Sequence, residues 1–127
     1  MKAYVHPTRG LSGHLDPPSS KNYTTRYLLV AALAEGESIV RFPAHSDDAM
    51  AMRRCLVGFG ASIEDGSDAR GPFLRVRGFA GAPENPAIVN PGNAGAVLRL
   101  LLGVGAQLEQ VRFETDFAES LGQRPHG

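Results

Sequence analysis

The chain has 127 residues, 43% of them hydrophobic, which is enough for one small domain with a true core and too apolar for a disordered tail. Thirteen Lys and Arg balance thirteen Asp and Glu, so no global field recruits nucleic acid or an anionic membrane, and any anion site has to be local. The single cysteine, Cys55, excludes an internal disulfide framework and any multi-cysteine metal site, and it suits a reducing compartment.

Met1 to Pro7 lacks the apolar stretch of a signal peptide, and no apolar run approaches the roughly 20 residues of a membrane span, so the expectation is a soluble, cytoplasmic protein. Ala3 to His6 reads as a short strand, limited by Pro7, Gly10 and Gly13. Leu15-Asp16-Pro17-Pro18 is stiff and extended, a crossing between two lobes. Ser19 to Thr25 then forms a polar entrance to a helix from about Tyr23 to Glu35, closed by a left-handed Gly36. A helix start presents free N–H groups and the positive end of the macrodipole, so it attracts anions, and Lys21 and Arg26 stand beside it. The same residues also serve as ordinary caps and solvated charges, and composition does not choose between the two readings.

Ser38 to Phe42 alternates as a strand ended by Pro43. Ser46-Asp47-Asp48 caps a second helix running through about Phe59, with Met52, Leu56 and Phe59 on one face and Arg53 and Arg54 turned away. Ala61–Glu64 and Phe73–Arg77 read as strands joined by a turn-rich Asp65 to Pro72, with Arg70 to Arg77 an exposed strand edge. After a Gly/Ala/Pro loop, Ala87–Val89 is extended. Asn90-Pro91-Gly92-Asn93-Ala94-Gly95 then opens a third helix, apolar nearly all round and expected to be well buried apart from Arg99. Val111 to Glu114 alternates as a strand. Loop–helix–strand therefore occurs twice, which points to an internal repeat of α/β units.

Ser20-Lys21-Asn22-Tyr23-Thr24-Thr25-Arg26, the Leu28 to Gly36 run, Ser46-Asp47-Asp48, Asn93-Ala94-Gly95 and Arg124-Pro125, in that order, resemble the N-terminal portion of the EPSP synthase family (3-phosphoshikimate 1-carboxyvinyltransferases). The resemblance implies an α/β (α+β) fold, an inverse α/β barrel built from βαβαββ repeats. Residues 1–16 would open a first, split domain, and 17–127 would form one unit and the start of another in the second domain. It implies transfer of the enolpyruvyl group of phosphoenolpyruvate to the 5-hydroxyl of shikimate 3-phosphate with release of phosphate, needing no cofactor.

By position, Lys21 would contact both substrates. Asn22, where the family commonly has serine, and Arg26 would bind shikimate 3-phosphate. Gly95 and Arg124 would bind phosphoenolpyruvate, and Asp48, Asn93 and Arg99 would support them, Arg99 as an internal ion-pair partner or as a residue behind the binding groups. The acid/base carboxylates of the family lie in its C-terminal portion, so this chain carries no catalytic residue of its own and would be active only when completed by that portion. The Lys21-Asn22 pair also resembles the sister UDP-N-acetylglucosamine 1-carboxyvinyltransferases, whose loop cysteine is absent here. A non-catalytic anion-binding module of the same fold is the remaining alternative. His6, His14, His45 and His126 lack metal-ligand spacing, and no Walker or dinucleotide fingerprint is present, so no metal is expected.

Overall fold

The computed structural model describes residues 1–117. The elements run α1 (Lys21–Leu33), β1 (Glu37–Arg41), α2 (Asp47–Gly58), β2 (Ser62–Asp68), β3 (Gly71–Arg77), β4 (Ile88–Val89), α3 (Gly95–Gly105) and β5 (Arg112–Phe113). β1, β3 and β2 form an antiparallel sheet in that spatial order, while β4 and β5 pair in parallel, Ile88 with Arg112 and Val89 with Phe113. No helix among the described residues is long and apolar enough to cross a membrane.

Helix α1 starts two residues earlier than its apolar pattern predicts, because Ser20 caps it: the Ser20 hydroxyl accepts from the Tyr23 amide at 3.4 Å. Leu28, Ala31 and Ala32, three and four residues apart, bury one stripe of the helix. At the other end the chain from Gly78 to Gly81 takes up the helix's orphan carbonyls. The Phe79 amide donates to Ala32 O at 2.8 Å, Gly81 to Leu33 O at 3.0 Å and Ala80 to Ala34 O at 3.2 Å. That approach requires glycine at position 78, where a Cβ would lie 2.0 Å from the Ala34 carbonyl oxygen.

α1 and α2 cover one face of the three-stranded sheet. Met52, Leu56 and Phe59 are fully buried, as their spacing predicts, against Leu28, Val40, Ile63, Leu74 and Val76. On the opposite face Arg41 pairs with Asp68 through two hydrogen bonds, of 3.0 and 2.8 Å, and the Arg41 and Arg75 guanidiniums flank the Phe73 ring.

Four expectations are corrected by the structure. Ala3 to His6 forms no strand; residues 1–20 are exposed and without regular structure, because a lone extended segment with no neighbour gains no ladder hydrogen bonds. Asp65 to Pro72 is mostly paired strand, with the turn confined to the two residues after Asp68. Phe73 lies across Gly66, where a Cβ would come within 2.4 Å of its ring, so the glycine is a packing site and not a turn. The Arg70 to Arg77 segment is no edge: β3 is the central strand, and its arginines mark the solvated face of a strand paired on both sides. Finally, α3 buries Val97, Leu101 and Val104 but leaves Leu102 49% exposed, since among the described residues it is covered on one side only.

Two measurements check this architecture. Gly78→Ala should destabilise the chain by about 1–3 kcal/mol in chemical denaturation, the usual range for overpacking a site that cannot move. The Arg41 guanidinium, followed by the Arg70 amide, holds the Asp68 carboxyl down at about 2. A depressed carboxylate contributes stability that is present above its usual value of 3.8 and lost as pH falls through about 2. A carboxyl-carbon NMR titration should therefore place the Asp68 midpoint near 2, and in Arg41→Ala it should move up toward 3.8.

Candidate functional site

The starts of all three helices meet on one side of the molecule. Lys21 is the first residue of α1; its side chain is half exposed and its Nζ lies 3.1 Å from Asp48 Oδ2 in the first turn of α2. An ion pair this open contributes at most about 1 kcal/mol to stability, so its effect is to orient the ammonium. Ser46 caps α2, its hydroxyl accepting from the Ala49 amide at 3.3 Å. Asp48 in turn lines an open cavity of about 440 Å³ with Asp47, Arg54, Asn93 and Ala94, which brings the loop before α3 to the same corner.

α3 begins differently from the other two helices. Its cap residue is Ala94, which offers no side-chain hydrogen bond. Among the described residues the amides of Gly95, Ala96 and Val97 thus have no intrahelical acceptor and no capping side chain, whereas Leu98 donates to Ala94 O at 3.0 Å, and such open amides favour an anion.

The loop ahead of α3 is held from several directions. The Asn90 carbonyl accepts from Cys55 Sγ at 3.2 Å and from Arg54 Nη2 at 3.4 Å, both on α2. Asn90 Oδ1 accepts from the Gly92 amide at 2.9 Å, and the Gly92 carbonyl from the Thr115 hydroxyl at 2.8 Å. Burial pushes the Cys55 thiol up from its ordinary value, against the nearby Arg54 charge, so Cys55 is a protonated donor and not a nucleophile. On the far side, Thr24 is buried in α1; its hydroxyl donates to Ser20 O at 2.8 Å and accepts from the Ala44 amide at 3.0 Å, fixing the segment that leads into α2.

Of the sequence-predicted residues, Lys21 and Asp48 are brought into direct contact, and Asn93 shares the cavity with Asp48 at the mouth of Gly95. Asn22 and Arg26 are exposed on α1, with Arg26 Nη1 folded back onto the Asn22 carbonyl at 2.9 Å. Arg99 is exposed on α3 and has no ion pair among the described residues, so the internal partner expected of it is not found; a position opposite the buried stripe of the helix faces solvent. Arg124 lies outside the described residues.

Arg53 is corrected too: it is not turned away, since its Nη2 meets Asp65 Oδ2 at 2.7 Å and the Ile63 carbonyl at 3.2 Å. Arg54 is turned away from the buried stripe, as its position predicts, and its exposed side chain lines the cavity. Its signal was available in the spacing, for Asp47, Ala51 and Arg54 fall on one helical stripe.

The architecture is that of a mixed α/β piece in which three helix starts gather at one corner, and comparison with known proteins agrees with the fold. The family profile of EPSP synthase (3-phosphoshikimate 1-carboxyvinyltransferase) matches residues 5–126. The chain is 53% identical over 124 residues to the 3-phosphoshikimate 1-carboxyvinyltransferase of Deinococcus radiodurans, covering 97% of this chain and 27% of the relative. It is 40% identical over 121 residues to that of Burkholderia pseudomallei, covering 94% and 26%. In three dimensions it is similar to EPSP synthase from Acinetobacter baumannii, with a TM-score of 0.74 and 28% identity over 89% of this chain and 25% of that one. The chain belongs to the EPSP synthase family, and it spans about a quarter of the length of these relatives. The α/β fold expected from the motifs is the fold found.

Arg54→Ala should leave the secondary structure intact while speeding hydrogen exchange of the Gly92 amide several-fold, as the Asn90 carbonyl loses one of its two donors from α2. NMR-detected exchange on the two proteins checks this.

Proposed function

We propose that this chain is the N-terminal portion of an EPSP synthase. Completed by the C-terminal portion, it takes part in transferring the enolpyruvyl group of phosphoenolpyruvate to the 5-hydroxyl of shikimate 3-phosphate, with release of phosphate. The observation that carries the reading is the Lys21–Asp48 contact of 3.1 Å, which sets a cation at the joint of helix starts whose amides favour anions. Both substrates carry a phosphate and a carboxylate, so each brings the charge such a corner attracts.

In this reading Lys21 is a clamp between the two substrates. Asn22 supplies an amide to the shikimate phosphate, and Arg26, once released from the Asn22 carbonyl, presents a planar fork to the shikimate carboxylate. The backbone at Gly95 approaches phosphoenolpyruvate without a side chain in the way, and Arg124 adds a second cation to the same substrate. Asp48 holds Lys21 in place, and Asn93 shapes the loop. Proton transfer at the reacting carbons needs a group within hydrogen-bond reach. Asp47 and Asp48 sit at the start of α2, so that chemistry belongs to the C-terminal portion. Residues 1–16 go with that portion as the opening of the split first domain, and 17–127 begin the second. A soluble, cytoplasmic enzyme of aromatic amino-acid biosynthesis follows from this role.

The presence of both Lys21 and Arg124 supports this reading over a module that keeps the fold without the chemistry. Phosphate release, measured with the chain and the C-terminal portion together, should fall at least about 100-fold in Lys21→Ala, the scale of losing one preorganised charge donor. The variant should remain folded by circular dichroism. Turnover equal to that of the unaltered chain removes the assignment.

A further inference from the structure

Two buried threonines sit side by side on α1, Thr24 4% and Thr25 3% exposed, and their hydroxyls make different bonds. Thr25 Oγ1 donates to Asn22 O at 3.1 Å, within its own helix. Thr24 Oγ1 also bonds backward, to Ser20 O at 2.8 Å, but it accepts a second hydrogen bond, at 3.0 Å, from the Ala44 amide. Ser20 immediately precedes Lys21, and Ala44 stands shortly before Ser46, the cap of α2. One hydroxyl therefore ties together the backbone leading to each half of the Lys21–Asp48 pair.

The chain between β1 and α2 needs such a tie. Phe42, directly after β1, has a φ of +50°, a left-handed backbone that a bulky side chain rarely takes. Pro43 follows it, and a residue before proline is normally extended. On the sheet side this elbow is held by the start of β3. There Phe42 N donates to Pro72 O at 3.0 Å, and the Phe42 ring lies against Gly71, where a Cβ would come within 2.5 Å of Cε1. On the α2 side, the Ala44–Thr24 bond is the only hydrogen bond made by residues 43–45 among the described residues.

We propose that Thr24 is a positioning residue for the substrate corner: its hydroxyl holds the left-handed elbow at Phe42 and so keeps Asp48 against Lys21. That role rests on the functional reading above, in which Lys21 meets both substrates. A residue strained in this way keeps its conformation only where its surroundings over-determine it. Met52, Leu56 and Phe59 anchor the body of α2 in the core, so a relaxing elbow pulls on the first turn, where Asp48 lies and where a helix frays. An ion pair as exposed as Lys21–Asp48 is too weak to resist by itself.

The test compares variants of the whole chain, alone and with the part of the Deinococcus radiodurans relative that lies outside the 124 matched residues. In the chain alone, Thr24→Val keeps the side-chain shape and deletes the hydroxyl. It should speed exchange of the Ala44 and Ala49 amides at least about tenfold and abolish the nuclear Overhauser contact between the Lys21 and Asp48 side chains. Thr24→Ser should restore both, and Thr25→Val should leave the contact in place. In the completed protein, Thr24→Val should lower kcat/KM for both substrates at least about tenfold through a rise in KM. A merely structural loss would instead lower kcat with the folded fraction and leave KM unchanged, which overturns the positioning role.

Phe42→Asn takes a left-handed backbone more readily, and combined with Thr24→Val it should recover at least about half of the lost kcat/KM. Where Thr24→Val by itself does not fold, this double variant decides: folding with the contact kept supports the role, and failure to fold overturns it. A Lys21–Asp48 contact that survives Thr24→Val overturns it too, and with Lys21→Ala inactive it leaves the functional reading intact. Loss of the contact with phosphate release unchanged in both Thr24→Val and Lys21→Ala removes the functional reading instead.

Discussion

The site depends on α2 lying between α1 and the loop that opens α3. One face of α2 is anchored by Met52, Leu56 and Phe59, all fully buried, while its other side reaches the Asn90 carbonyl through Arg54 and Cys55. A helix held on two sides cannot slide by a fraction of a turn without opening a cavity in a close-packed core. Its first turn is thus fixed where Asp48 meets Lys21, and the three helix starts hold a common register.

That arrangement divides the tasks of the fold. The sheet and the buried stripes of α1 and α2 supply the stability. The corner itself relies on weak, open contacts: an exposed ion pair, an Arg26 folded onto its own helix, and uncapped amides at α3. Groups that have to exchange partners with a phosphorylated substrate gain from being loosely held, because a strong internal partner would compete with the ligand. The rigid parts of the corner are those that no substrate would displace, namely Ser46 on its helix, Thr24 on Ala44 and the two α2 donors on Asn90.

The open β1 edge and the uncovered side of α3 fit a piece of a larger fold. Leu102 on α3, like Val30 on α1, is apolar and exposed, and each lies away from the buried stripe of its helix. A helix apolar on both sides belongs in an interior.

Much of this was legible in the residues. The helices at Lys21–Leu33 and Asp47–Gly58 follow from serine caps and apolar spacing and that at Gly95–Gly105 from its apolar run, all local properties, and the family follows from motifs read in order. Partnership was not legible. Nothing local told that β3 is central, that Ala3 to His6 has no strand to join, or that Gly66 lies under Phe73, because strand pairing is decided by segments distant in sequence. Arg54 is the clearest case within the site. Its stripe on α2 could be counted from the sequence, but whether that stripe met solvent or the Asn90 loop depended on how α2 and α3 pack, which only the tertiary structure decides.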